Sequence, residues 1–259
     1  MLSLDQILNF ARGGDIPLDR KKQILAEYLQ CEILDSLTKN KLSDKLHFIG
    51  GTALRIFYHL PRFSENLDFD NFGLSEKQFS LLIKSAIKDL NLKGFEIEHL
   101  VKFKMAYHCY FRFTGLLYKY KISPLSKEKI LIKIDLTHQN YKIKPDILFF
   151  NKYGILEQIK VNLLDILFSQ KALAVLGRKT SKGRDFFDLI FLMGLTEPNF
   201  DYLKKEAGVK NKTELKNILL KKSQGLNFSL LARDVAPYLF NAKDVEKIKK
   251  FPEYIKSWK

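Results

Sequence analysis

The feature that most constrains this chain is where its apolar residues change period. Residues 3–46 carry them at helical spacing, with Ile24, Leu25, Tyr28, Cys31, Leu34 and Leu37 in one run and Ser3 placed to cap the start. The middle alternates every second residue, in "FEIEHLVKFKMAYHCYFRFTG", "LYKYKIS", "EKILIKIDLTH" and "ILFFNKYGILEQIKV", and is rich in β-branched and aromatic side chains. From Asn162 the helical period returns in "NLLDILFSQKALAVLG" and "GRDFFDLIFLMGL", and helices joined by "EPNF", "GLNF" and "NAKD" turns run on to Trp258. That order predicts an α+β protein: a mixed αβ core with a mixed sheet over residues 1–160, then a C-terminal helical bundle over 161–259.

The chemistry concentrates where the first helical stretch gives way. "KLHFIG" reads as a short strand running into Gly50 and Gly51, "TALRIFYHL" as a helix that Pro61 ends, and "NLDFDNF" as a half-buried strand before a helix, "SEKQFSLLIKSAIKDL". A strand that ends in two glycines and opens a helix brings bare backbone N–H groups to a positive helix end, a cradle for phosphate. Thr52 adds a hydroxyl. Asp68 and Asp70, two apart on a strand, leave the same face, and hard oxygen ligands at that spacing suit Mg²⁺ or Mn²⁺. The glycine turn and the acid pair can share one triphosphate.

Asp135, in "ILIKIDLTH", shares a strand face with Lys133 and Thr137, while Ile132, Ile134 and Leu136 take the other. It reads either as a third catalytic carboxylate or as a solvent-facing acid. Further on, Lys171 and Arg178 are two helical turns apart, and Asp185 and Asp188 are neighbours three apart on the next helix. A lysine on so apolar a helix either snorkels to the surface or meets a counter-charge, phosphate or Asp185.

Forty-four Lys and Arg against 29 Asp and Glu give a net charge of +15, and 14 of those basic residues lie between Asp201 and Lys259. Such a surface suits a polyanion. No apolar run reaches the roughly 18 residues that cross a bilayer, and the N-terminus lacks a basic head and apolar core, so no membrane role and a cytoplasmic location are expected. Two cysteines, Cys31 and Cys109, are too few for a disulfide framework. The five histidines show no metal-ligand spacing and read as structural or surface residues. No G-x-S-x-G, H-E-x-x-H or P-loop motif is present.

The stretch "GGTALRIFYHLPRFSENLDFD", with "IKIDLT" and "LLDILFSQKALAVLGRKTSKGRDFFDLIFLM", resembles the AbiEii/AbiGii-type nucleotidyltransferase toxins, a branch of the DNA-polymerase-β-like nucleotidyltransferase superfamily. The likeness covers roughly residues 45 to 195. It implies a bacterial, NTP-using transferase of a toxin–antitoxin or phage-defence system, partnered by an antitoxin, with the 3′ end of tRNA as acceptor. By motif, Gly50, Gly51 and Thr52 match the nucleotide-binding turn, Arg62 and Ser64 lie beside the triphosphate, and Asp68 and Asp70 match the metal-binding pair. Lys171 matches the family's phosphate-contacting lysine, and Asp188, or Asp185 in the same block, its late catalytic acid. The helical domain would thus contribute Lys171 and the "RDFFD" block to the site. Sixteen residues separate Gly51 from Asp68, a longer spacing than in the wider superfamily and one that the toxin branch shares. In that branch the third strand acid varies, which leaves the role of Asp135 open. Two other readings stand beside this one: transfer to a protein hydroxyl, and a basic nucleic-acid- or antitoxin-binding module with an inactive site. A monomer is expected.

Overall fold

The structure, a computed structural model, describes residues 1–13 and 16–258. The helical period of residues 3–46 is split between two helices, α1 (Leu4–Arg12) and α2 (Lys21–Thr38), and a 3-10 turn at Lys41–Lys45. Ser3 caps α1 through a reciprocal box: its hydroxyl accepts from the Gln6 N–H, and the Gln6 side chain accepts from the Ser3 N–H. Gly13 closes that helix, and Pro17 lies between the two, where a missing N–H costs nothing. Positions 14 and 15 of the expected helical stretch lie outside the described residues.

Two compact units divide the chain, Met1–Val161 and Asn162–Lys259. In the first, β1 (Leu46–Ile49) runs into α3 (Gly50–Phe57), followed by β2 (Leu67–Asn71), α4 (Glu76–Leu92), β3 (Ile97–Phe103), β4 (Tyr107–Phe113), α5 (Leu116–Lys119), β5 (Ile130–His138), β6 (Asp146–Lys152) and β7 (Ile155–Val161). Two local expectations are corrected. "LYKYKIS" is not a strand but the short helix α5 and its exit turn, because Leu116 and Leu117 both point inward, which an alternating strand cannot do. And α3 stops at Phe57, before Pro61, since His59 takes a left-handed conformation.

The seven strands form one mixed sheet in the order β3-β4-β5-β2-β1-β7-β6. β1 pairs parallel with β7 and β2 parallel with β5, and the other pairs are antiparallel. β6 and β7 form a hairpin whose two-residue turn, Tyr153-Gly154, has positive φ at both positions, the geometry that matches strand twist. One sheet face carries the core: Phe48, Phe69, Phe111, Ile132, Ile134 and Leu136 are all buried. α2 and α4 supply the apolar side chains of the adjoining layer, among them Tyr28, Leu29, Phe79 and Leu82. The opposite face holds Asp68, Asp70 and Asp135, beside exposed apolar side chains such as Leu131 and Leu100.

The second unit is helical: α6 (Leu164–Gly177), α7 (Gly183–Met193), α8 (Phe200–Ala207), α9 (Lys212–Ser223), α10 (Phe228–Val235), α11 (Val245–Lys249) and α12 (Phe251–Ser257). The turns read from the sequence are where helical elements begin: Asn199 and Asn227 accept a backbone N–H of the helix that follows, and Asn241 that of Lys243 in a 3-10 turn. Phe186 packs its ring against Phe228 and Phe251, with centroids 5.5 and 4.8 Å away. Gly183 opens α7 with its N–H donated to Asp234, and a Cβ there would run into the Leu231 carbonyl oxygen. Gly183→Ala is therefore expected to push α7 from α10 and cost about 1–3 kcal/mol, read as a lower thermal midpoint.

Candidate nucleotidyl-transfer site

The first unit gathers the glycine turn, the Arg62–Ser64 segment and the acid pair around the start of α3. Gly50 has φ +79°, a conformation that side chains avoid, and a Cβ there would lie 2.5 Å from Asp68 Oδ2. At Gly51 a Cβ would meet Arg62 Nη2 at 2.5 Å and Ser64 Oγ at 3.0 Å. The two glycines thus let an arginine, a hydroxyl and a carboxylate close onto bare backbone. The N-cap residue, Ile49, offers no side-chain acceptor, and the first-turn N–H groups of α3 have no acceptor within the helix, so the turn presents a positive end. Gly50→Ala would force both a left-handed alanine and a shift of Asp68, and should lower transfer about 10²-fold, checked by steady-state kinetics alongside a melting curve.

Arg62 is 1% exposed, and its Nη1 donates to the Phe63 carbonyl at 2.7 Å. Thr52, read from sequence as a phosphate donor, is fully buried and gives its proton to the Asn66 carbonyl at 2.5 Å. In this structure its hydroxyl ties α3 to the segment leading into β2. Gln30, on α2, was not singled out in the sequence. It is buried and donates to the Ser64 carbonyl at 2.9 Å, holding that segment from behind. Glu27, one turn earlier, pairs with Arg55 of α3 at 2.8 Å and with Lys152. Neither had a sequence signal, because a polar residue among helically spaced apolar ones looks like solvent-facing surface, whereas α2 is buried on nearly every side.

Register places the carboxylates. Asp68 is opposite Asp135 across the parallel β2–β5 pair and opposite Ile49 across β1–β2, while Asp70 is opposite His47 and Thr137. All three acids therefore leave the same sheet face. Asp70 is buried, 3% exposed, and Asp68 is half-buried. Asp135 is not a lone solvent-facing acid: its Oδ1 meets Lys133 Nζ at 2.7 Å and His108 Nδ1 at 2.5 Å. His108, taken as structural or surface from sequence, sits on this face because β4 pairs it with Asp135. Only strand pairing could have revealed it.

The donor set at Asp68 and Asp70 suits a hard divalent ion: two carboxylates on one face, with a glycine backbone packed against one of them. No group of three or more His, Cys, Asp or Glu among the described residues is arranged to hold a metal. Asp135 is paired with its lysine and histidine, directly opposite Asp68. Cysteine chemistry is not available: both thiols are buried, and burial pushes Cys109 up to about 12 and Cys31 well above its ordinary value.

The second unit holds the other predicted site residues as a cluster of its own. Lys171 Nζ lies 2.8 Å from Asp188 Oδ2 and 3.4 Å from Asp185 Oδ1, and Arg178 Nε lies 2.9 Å from Asp185 Oδ2. Both aspartates are essentially inaccessible. α6 ends at Gly177, and Arg178 follows in extended conformation. The two cations therefore meet Asp185 without sharing a helix face.

Among the described residues no helix is long and apolar enough to cross a membrane. No curated protein sequence matches the chain. In fold it is similar to JHP933 from Helicobacter pylori, at 18% identity and a TM-score of 0.55, over 90% of each chain. It is likewise similar to a candidate nucleotidyltransferase from H. pylori, at 17% identity and a TM-score of 0.53, over 86% of this chain and 90% of that one. The family model "Nucleotidyl transferase AbiEii toxin, Type IV TA system" matches residues 32–250, which include the glycine turn, all three strand acids and the Lys171 cluster. The chain belongs to the AbiEii nucleotidyltransferase toxin family, and is a nucleotidyltransferase.

Proposed function

We propose that this chain transfers NMP from an NTP to the 3′-terminal hydroxyl of tRNA, as the toxin of a bacterial toxin–antitoxin or phage-defence pair. It would act as a cytoplasmic monomer that a cognate antitoxin restrains. The observation that carries the reading is the closure of Arg62, Ser64 and Asp68 onto Gly50 and Gly51 at the start of α3. Backbone N–H groups of that turn and the helix end would receive the terminal phosphates. Arg62, held by the Phe63 carbonyl, would set the width of the cradle and add positive charge beside it. Asp68 and Asp70 would hold Mg²⁺ or Mn²⁺. Such an ion, when bound, supplies charge stabilisation on the attacking and leaving oxygens. The acceptor hydroxyl oxygen would bond to the α-phosphorus, giving up its proton to water, as the bond to the α,β-bridging oxygen breaks and pyrophosphate leaves with that electron pair.

The family resemblance supports Lys171 as a contact for nucleotide phosphate and Asp188 or Asp185 as a late acid. Asp135, held by Lys133 and His108, would orient groups near Asp68. The experiment incubates the protein with Mg²⁺, total tRNA and each α-labelled NTP in turn. Label on tRNA with one NTP supports the reading. Label on a protein band would move the acceptor to a protein hydroxyl, and no label on anything would leave a binding module.

A further inference from the structure

Beyond the acid pair, the same sheet face continues outward over β5, β4 and β3. Pairing aligns Asp68, Asp135, His108 and Lys102 in one row across four strands, so Lys102 stands about 14 Å from Asp68 at ordinary strand spacing. The neighbouring row aligns Lys133, Tyr110 and Leu100, and the next Leu131, Arg112 and Glu98. These side chains are half-buried or exposed, with Leu131 at 54% and Leu100 at 39%.

The charges on this face are uneven. Asp135 is matched by Lys133 and His108, and Glu98 by Lys129 at 2.6 Å. No carboxylate pairs with Lys102 among the described residues. Its ammonium instead lies 5.7 Å from the Tyr110 ring centroid, and that of Lys133 lies 5.6 Å from it. A flat aromatic set among cations on an uncovered sheet face suits a strand whose bases stack and whose phosphates need neutralising. The row leads back to Asp68, where an acceptor hydroxyl is required.

We propose that Lys102, Tyr110, Arg112 and Lys133 form the docking strip for the single-stranded 3′ end of a nucleic-acid acceptor, an inference that rests on NMP transfer to such an end. The Tyr110 ring receives a base face, and Lys102 and Arg112 take phosphates on either side of it. Leu131 and Leu100 give the flanking bases an apolar floor.

The test measures binding of fluorescein-labelled single-stranded 12-mers, one of RNA and one of DNA, to the full chain without NTP. Lys102→Gln/Arg112→Gln and Tyr110→Leu are compared with Lys84→Gln/Lys88→Gln, which removes the same charge from exposed positions on α4. The strip predicts about tenfold weaker binding in each strip variant, a salt slope shallower by about 1.4 in the double variant, and little change in the α4 control. The polymer that binds more tightly identifies the acceptor. Equal losses in the strip and control variants, or tight binding of an acidic peptide and of neither oligonucleotide, would overturn it. A chain that binds through the strip but transfers no NMP would leave the strip standing and the transfer reading wrong. Transfer with unchanged oligonucleotide affinity in the strip variants would do the reverse.

Discussion

Asp68→Asn is expected to lower nucleotidyl transfer by about 10³-fold or more while leaving the melting curve within a degree or two of the unmodified protein. The amide is nearly isosteric with the carboxylate, so the packing of Gly50 against this side chain survives. What is lost is a negative charge at a half-buried position, directly opposite Asp135 and two residues from Asp70. A divalent ion bound by two carboxylates would then be held by one, and transfer should recover little at high Mg²⁺. Asp70→Asn should behave alike. Asp135→Asn should cost far less, since that side chain is already paired with Lys133 and His108. Rates within tenfold of normal in Asp68→Asn would remove this residue from the reaction.

The largest effect on stability is expected at Glu27→Ala. Glu27 is 2% exposed and sits between Arg55 and Lys152, with the Tyr153 hydroxyl 3.5 Å away. Burial alone would push its carboxyl up, but the charges of Lys152 and Arg55 outweigh it and hold it below the ordinary 4.5. Removing it strands the buried Arg55 guanidinium without its carboxylate, at a cost of about 3–5 kcal/mol. A drop of roughly 6–12 °C in thermal midpoint would follow for a chain of this size. Glu27→Leu with Arg55→Leu should recover much of the loss, because an apolar pair of similar volume needs no desolvation. The pH dependence has a definite sign. A lowered folded value means that the contribution is fully present above about pH 4.5 and fades as pH falls through the folded value. Arg55 belongs to α3, so transfer should also fall in Glu27→Ala even at temperatures where it stays folded.

Much of the architecture was legible because period-two and helical patterns differ over long windows. The mixed sheet, the helices around it and the all-helical second unit all follow from that contrast. "LYKYKIS" misled because so short an alternating stretch fits a strand and a short helix equally well, and the burial of the adjacent Leu116 and Leu117 decided for the helix. At the site, residue type and spacing pointed to Gly50, Gly51, Asp68 and Asp70. They could not show that Gly51 lies against Arg62, a contact made by a loop whose path depends on Gln30 and the Ser64 carbonyl. Nor could they pair His108 with Asp135, since β4–β5 register is a property of the sheet. Thr52 looked like an available hydroxyl, and its bond to the Asn66 carbonyl appears only once the turn is built.

The most direct test of nucleotidyl transfer runs two labels in parallel, the same NTP carrying ³²P at either the α or the γ position, with Mg²⁺ and total tRNA. The account predicts α-label on the acceptor, with γ-label released only as pyrophosphate and both absent in Asp68→Asn. Label from the γ position on the acceptor, or release of γ-label as phosphate with no α-label transferred, would contradict it.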